Sequence, residues 1–274
     1  MARLIAQAIA GPLGQPIIVD NRASGVIPGE IVAKAQPDGY TMLVIGSAFL
    51  ITPLLQGAPY DPVRDFSPLA LISSSPNIVV THPSLPVKSV RDLIGAAKAK
   101  PGALDYASTA SGSGSHLAAE LFKSMAGVDI VRVNYKSTGS ALTSLLGGEV
   151  KLMFPSASSA LGHVKSGKLN ALAVTSAKPS ALAPGLPTVA ASGLPGYEVV
   201  SLDLVFVPAK TPAPVINRLN QEIVRVLGQK DIRDKFVSTG AEAIGSSPGE
   251  AAAAINSEVA LWAKLIKSAG IQAD

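Results

Sequence analysis

The chain contains no cysteine. That excludes disulfides, thiolate metal sites and a cysteine nucleophile, and it fits an oxidising compartment. Aromatic residues are scarce, 4% of 274, and no basic patch is interleaved with stacking side chains, so nothing here suits nucleic acid. Charge is sparse as well: charged residues make up 15%, and the net charge of +4 is scattered. Against 47% hydrophobic content this excludes a disordered or coiled-coil chain. Gly, Ser, Pro or charge interrupts each apolar stretch before the roughly 18 residues a membrane span needs. The three histidines never fall with carboxylates at metal spacing, so neither a metal nor another cofactor is expected. Walker, GxGxxG and GxSxG patterns are missing. The N-terminal MARLIAQAIAGPLG is amphipathic and lacks the form of a signal peptide; taken literally, the chain stays in the cytoplasm.

What is present is a regular alternation. Leu4, Ile5, Ala8 and Ile9 give one face of an opening helix that stops near Gly11-Pro12, and PIIVD (16–20) reads as a buried strand. A helix over Gly29–Ala35 and a strand YTMLVIG (40–46) follow. Further strands are predicted at 77–81, 104–108, 129–135, 149–154, 170–176 and 199–208. Helices are predicted from Ser89, with Asp92 closing a capping box, after Tyr106, and over Ser137–Leu146. Thr211 is expected to cap a helix with Pro212 at its first position and the stripe Val215, Leu219, Ile223, Val226, stopped by Gly228. The last helix has Ser247 as N-cap, Glu250 completing a capping box, and Ile255, Val259, Trp262 and Ile266 as its apolar face. Strands alternating with helices imply an α/β class, with βαβ units and mostly parallel sheets covered on both faces.

In such folds ligands bind beyond the carboxyl ends of strands. Four loops there are rich in Ser, Thr or Gly: 46–50, 108–116, 136–140 and 154–159, the last carrying Ser156. The second is the most informative. YASTASGSGSHLAAELF (106–122) is a hydroxyl-rich loop running into an amphipathic helix, whose unpaired first-turn amides and dipole favour an anion. The same residues also suit a solvated loop with a good N-cap. Ser113 with His116 is the single pairing with hydrolase potential, and it lacks a strained elbow. His82 and His163 read as surface groups, and Thr138-Gly139-Ser140 as either a pocket wall or a plain N-cap.

NRASG…AKAQPDGYTMLVIGSA, PYDPVRDFSPLALI, DYASTASGSGSHLAAELFKSMAGVDIVRVNYK, LGGEVKLMF, GKLNALAVTSAK, GLPTVAASGLPGYE and PAKTPAPVINRLN occur in one order along the chain. In that order they resemble the Bug family, the extracytoplasmic solute receptors of tripartite tricarboxylate transporters, over essentially the whole length. The resemblance implies two doubly wound α/β domains hinged by crossing strands, of the type II periplasmic-binding-protein kind. It divides the chain into 1–79 with 204–274, and 80–203, with hinges near Asn77–His82 and Ser201–Phe206. It further implies a monomer in the periplasm that closes on a small carboxylated solute in an interdomain cleft and presents it to membrane permease subunits. The ligand-binding positions it implies are Ser47 and Ala48 in the first domain, and Ser108, Thr109, Ser113 and His116 in the second.

Three departures from the family stand out. Its first strand and a Pro-Gly-Gly loop precede the residues matching Ala2-Arg3, so the chain reads as N-terminally truncated, with the signal peptide upstream and a gap expected in the first sheet. The segment Asn21-Arg22-Ala23-Ser24-Gly25 is shorter than the family's. Ala110 stands where Gly is usual, Pro155 where Asp is common, and Asp203 where an aromatic is favoured. Asp203 either faces a ligand amine or hydroxyl, or pairs with a Lys or backbone N–H at the hinge. A cytoplasmic carboxylate-sensing module of a regulatory system is the alternative function; it shares the architecture and matches the absent signal peptide.

Overall fold

The computed structural model describes residues 1–22 and 26–273. Ala23, Ser24 and Gly25 of the shortened segment lie outside them. The chain divides into two compact units, Met1–Ser74 with Leu202–Lys267, and Ser75–Ser201 with 268–273. It passes from the first to the second inside one strand, returns inside another, and passes over again near the end of the last helix.

The first unit holds α1 (Ala2–Leu13), α2 (Val26–Ala33), β1 (Leu43–Gly46), α3 (Ala48–Leu55) and β2 (Phe66–Pro76), the strand in which the chain crosses. After the return in β8 (Val200–Pro208) come α8 (Ala213–Leu227), α9 (Lys230–Ser238), β9 (Glu242–Ala243) and α10 (Pro248–Ala269). Its sheet has the order β1-β8-β2-β9, with β1 antiparallel to β8 and β9 antiparallel to β2. Alternation along β8 covers both faces. Val205 and Val207 join Leu69 and Ile72 of β2 beneath Ile5 and Ile9 of α1 and Leu219, Ile223 and Val226 of α8. Phe206 points the other way, onto Phe49 and Phe66, and Phe49 stacks on Tyr60 at 4.5 Å. Each such buried side chain contributes roughly 1.5–3 kcal/mol.

The second unit holds β3 (Ile78–Thr81), α4 (Val90–Ala99), β4 (Asp105–Ser108), α5 (Gly114–Ala126), β5 (Val131–Asn134), α6 (Thr138–Gly147), β6 (Leu152–Met153), α7 (Ala157–Lys165) and β7 (Asn170–Val174). The sheet order is β5-β4-β6-β3-β7. Ile78, Val80, Ala107, Met153 and Val174 pack on Ala141, Leu145 and Ala160 of α6 and α7. On the α5 side, Phe122 meets Phe154 and Tyr197, and the Tyr197 hydroxyl donates to the Ala118 carbonyl at 2.8 Å.

Several expectations need correction. Residues 16–20 form no strand, and Ile18 is 90% exposed; an apolar run becomes a strand only where a neighbouring edge takes up its amides and carbonyls. The sheets are mixed: β4 runs parallel to β5 and β6, but β3 is antiparallel to both β6 and β7. Thr211 does not cap α8. Its hydroxyl donates to the Pro208 carbonyl, and Pro212 occupies the N-cap position. The Ser247–Glu250 capping box is formed in both directions, at 3.2 and 2.8 Å.

Candidate functional site

The 108–116 loop joins β4 to α5. Ser113 N–H donates to the Ala110 carbonyl at 3.0 Å, closing a turn in which Gly112 adopts a φ of 78°, a region costly to a residue with a Cβ. Ser113 is the N-cap of α5, its hydroxyl accepting the His116 amide at 3.4 Å. The buried imidazole of His116 turns back, and its Nδ1 accepts the Gly112 N–H at 3.2 Å. That bond fixes Nδ1 as the acceptor and so holds the loop on the helix. Three further contacts tie the hydroxyls together: Thr109 N–H to Ser115 Oγ at 3.4 Å, Thr109 Oγ1 to Ser115 Oγ at 3.5 Å, and Ser113 Oγ to Ser115 Oγ at 3.2 Å. Most of these bonds sit at or beyond the long end of the usual range, so they are weak and exchangeable for a better acceptor.

Sequence reasoning missed Arg132, which lies on β5 opposite Tyr106 in the parallel register. Its Nε donates to Ser108 Oγ at 2.8 Å, Nη1 to Ser111 Oγ at 3.0 Å and Nη2 to the Thr109 carbonyl at 2.7 Å. Consecutive parallel βα units place β5 beside β4, so an arginine inside VRVN was the available signal. Beneath the loop, Tyr106 donates to Glu120 at 2.6 Å, and Lys123 pairs with the same carboxylate at 2.9 Å. Burial first, and the Glu120 carboxylate second, push the Tyr106 phenol far above its ordinary pKa. A cavity of about 380 Å³ there is lined by Ser111, His116, Glu120, Lys123, Arg132 and 269–273.

Two other residues that sequence reasoning did not single out as site residues border the start of α5. A Cβ placed on Gly114 would lie 3.5 Å from Ser201 Oγ and 3.8 Å from the Asn77 side-chain amide. Asn77 in turn pairs with Ser156 in an isolated bridge. Ser156 heads α7 without capping it; its hydroxyl bonds Ser159 Oγ at 2.9 Å. Around 137–140 the plain N-cap is formed, with Ser137 and Ser140 as a reciprocal capping box.

The structure therefore gathers Ser108, Thr109, Ser113 and His116 into one loop of the second unit, with Ser156 bridged to Asn77 in the same unit. Ser47, Ala48 and Asp203 lie in the first unit. Ser47 is buried and bonded to Leu202 both ways: its N–H donates to the Leu202 carbonyl at 2.7 Å, and its hydroxyl accepts the Leu202 N–H at 3.3 Å. Ala48 is exposed at the first position of α3. Asp203 faces Gly46 across β1 and β8, and accepts the Ser73 hydroxyl at 2.6 Å; that partner is neither the lysine nor the backbone N–H expected from the sequence. Of the departures from the family, the Ala110 carbonyl closes the turn described above, and the Pro155 carbonyl accepts the Ile78 N–H at 2.9 Å. Among the described residues no group of His, Asp and Glu side chains is placed to hold a metal ion, and no helix is long and apolar enough to cross a membrane.

Two α/β units, with the chain crossing between them inside strands, and a hydroxyl-lined helix N-terminus define a solute-binding protein fold. The description "Tripartite tricarboxylate transporter family receptor" matches residues 1–271, and the chain belongs to that family. It is 34% identical over 275 residues to Protein BugT of Bordetella pertussis, spanning 98% of this chain and 84% of that one. Among solved structures it is similar to Rhodopseudomonas palustris Rpa4515 with adipate, at 37% identity and TM-score 0.78, covering 99% of this chain and 92% of that one. It is also similar to MatC of the same organism with bound malate, at 29% identity and TM-score 0.73, covering 97% and 92%. The family is one of receptors, which leaves Ser113 and His116 their roles in loop and helix geometry.

Proposed function

We propose that the chain is a periplasmic receptor that captures a small organic acid at the 108–116 loop and the N-terminus of α5, and delivers it as a monomer to membrane permease subunits. The observation that carries this reading is the loop itself. Its hydroxyls and amides are held together by hydrogen bonds of 3.2–3.5 Å, within a turn set by Gly112 and His116. A carboxylate offers each donor a shorter, charge-assisted bond, and the helix dipole adds to it. Neutral donors hold an anion reversibly, as a receptor that passes its cargo on requires. The adipate and malate held by the two similar structures support a carboxylate as the ligand. Ser108 and Ser156 of the second unit and Ser47, Ala48 and Asp203 of the first complete the proposed ligand-contacting set.

Thermal denaturation with mono-, di- and tricarboxylates tests the proposal. Ligand at a hundredfold excess over Kd adds about 2.7 kcal/mol to folding stability and raises Tm. The double substitution Ser113→Ala with Ser115→Ala should abolish most of that rise, since hydrogen bonds to a charged group contribute about 1.5–3 kcal/mol each. A full panel that leaves Tm unchanged would refute the receptor reading.

A further inference from the structure

Three bonds from Arg132 end on oxygen atoms of the loop: Ser108 Oγ, Ser111 Oγ and the Thr109 carbonyl. A serine hydroxyl is ambivalent, able to donate or accept. Once a guanidinium donates to its oxygen, acceptor capacity is used and the hydroxyl hydrogen is turned towards another acceptor. Ser108 already shows this polarity, with its hydroxyl donating to the Thr109 carbonyl at 3.3 Å. Guanidinium donors are planar and fixed in direction, so the three bonds set loop shape and hydroxyl polarity together. Ser108 is fully buried, so this arrangement acts in a region poor in competing water.

We infer that Arg132 is the positioning residue that makes the Ser/Gly loop selective for anions: it fixes the loop and turns the hydroxyls of Ser108 and Ser111 towards donation. The inference rests on the carboxylate-receptor reading above and adds to it the source of the loop's charge preference. Arg132 also lies near Tyr106, whose phenol its positive charge favours ionising, against the larger opposing effects of burial and Glu120. The positive charge is thus carried on the neighbouring strand β5 and reaches the loop through the two hydroxyls and the carbonyl it bonds.

The test compares adipate with its neutral diamide, adipamide, by titration calorimetry on wild type, Arg132→Gln, Arg132→Lys, Ser111→Ala and the Ser113→Ala/Ser115→Ala pair. Arg132→Gln should weaken adipate about tenfold or more while changing adipamide by less than about threefold. Arg132→Lys keeps the charge but not the fork, and should fall between the two. Ser111→Ala removes a single acceptor of the guanidinium and should give a smaller loss of the same kind. An equal loss for acid and amide in Arg132→Gln overturns the inference, because a purely structural strut would weaken both alike; so does an unchanged preference for the acid. If Arg132→Gln proves unfolded by circular dichroism, Arg132→Lys and Ser111→Ala decide by the same ratio. Should the Ser113/Ser115 pair also bind adipate like wild type, the loop is not the site, and the receptor reading of it fails first.

Discussion

Gly114 offers the sharpest separation of fold from binding. It is the first residue of α5, and its φ is not in the left-handed region. A Cβ added there would meet Ser201 Oγ at 3.5 Å and Asn77 side-chain atoms at 3.8 Å, which are ordinary van der Waals distances. Gly114→Ala should therefore fold without strain. By reducing the freedom of the unfolded chain it should gain about 0.4–1 kcal/mol, or about 1–4 °C in Tm. On the proposed carboxylate-receptor reading, the same methyl group would stand in the way of a carboxylate approaching the first-turn amides. Loss of one charge-assisted hydrogen bond costs about 1.5–3 kcal/mol, a drop of roughly ten- to a hundredfold in affinity. Calorimetric titration with adipate or malate beside a melting curve reads both numbers on one sample. The control is Gly112→Ala: its φ of 78° makes an alanine strained, so stability should fall with it. A Gly114→Ala protein that binds like wild type would show that no ligand reaches the start of α5, whatever the helix dipole offers.

Two further outcomes follow from the same reasoning. Gly39, with a φ of 88°, turns the chain so that any Cβ there would overlap Val215 of α8; Gly39→Ala should destabilise the protein by about 2 kcal/mol or more, seen as a lower denaturant midpoint, and an unchanged midpoint would refute the clash. The Ser247 backbone amide, then its hydroxyl, hold the Glu250 carboxyl below its ordinary value of 4.5. Because the folded pKa is depressed, its stabilising contribution is fully present above the unfolded value and is lost as pH falls through the folded one. NMR titration of Glu250 should give a low midpoint that Ser247→Ala, which removes the hydroxyl but keeps the amide, moves part of the way back up; no movement would break the assignment of the hydroxyl contact.

How much was legible in the sequence depended on whether a residue's partners lie near it along the chain. The 108–116 loop was readable because its turn, its cap and its closing imidazole are all contained within nine consecutive residues. Arg132 was not, since its role arises from the parallel register that sets it against Tyr106 and so under the loop. The Asp203–Ser73 bond joins β8 to β2 across 130 residues, and nothing in either segment announces the other. The helix α3 shows the same logic in reverse. Pro53 argues against a helix over 48–55, because it supplies no N–H to the carbonyl four residues back, which belongs to Phe49. The structure answers with Tyr60, whose hydroxyl donates to that same Phe49 carbonyl at 3.3 Å while its ring stacks on the Phe49 ring. Burial pushes the Tyr60 pKa up to about 12, so the hydroxyl stays a donor throughout the ordinary pH range. A side chain outside the helix thus takes up the carbonyl that Pro53 leaves without its helical partner. Because α3 begins directly after Ser47, that contact also sets where Ser47 and Ala48 stand at the end of β1.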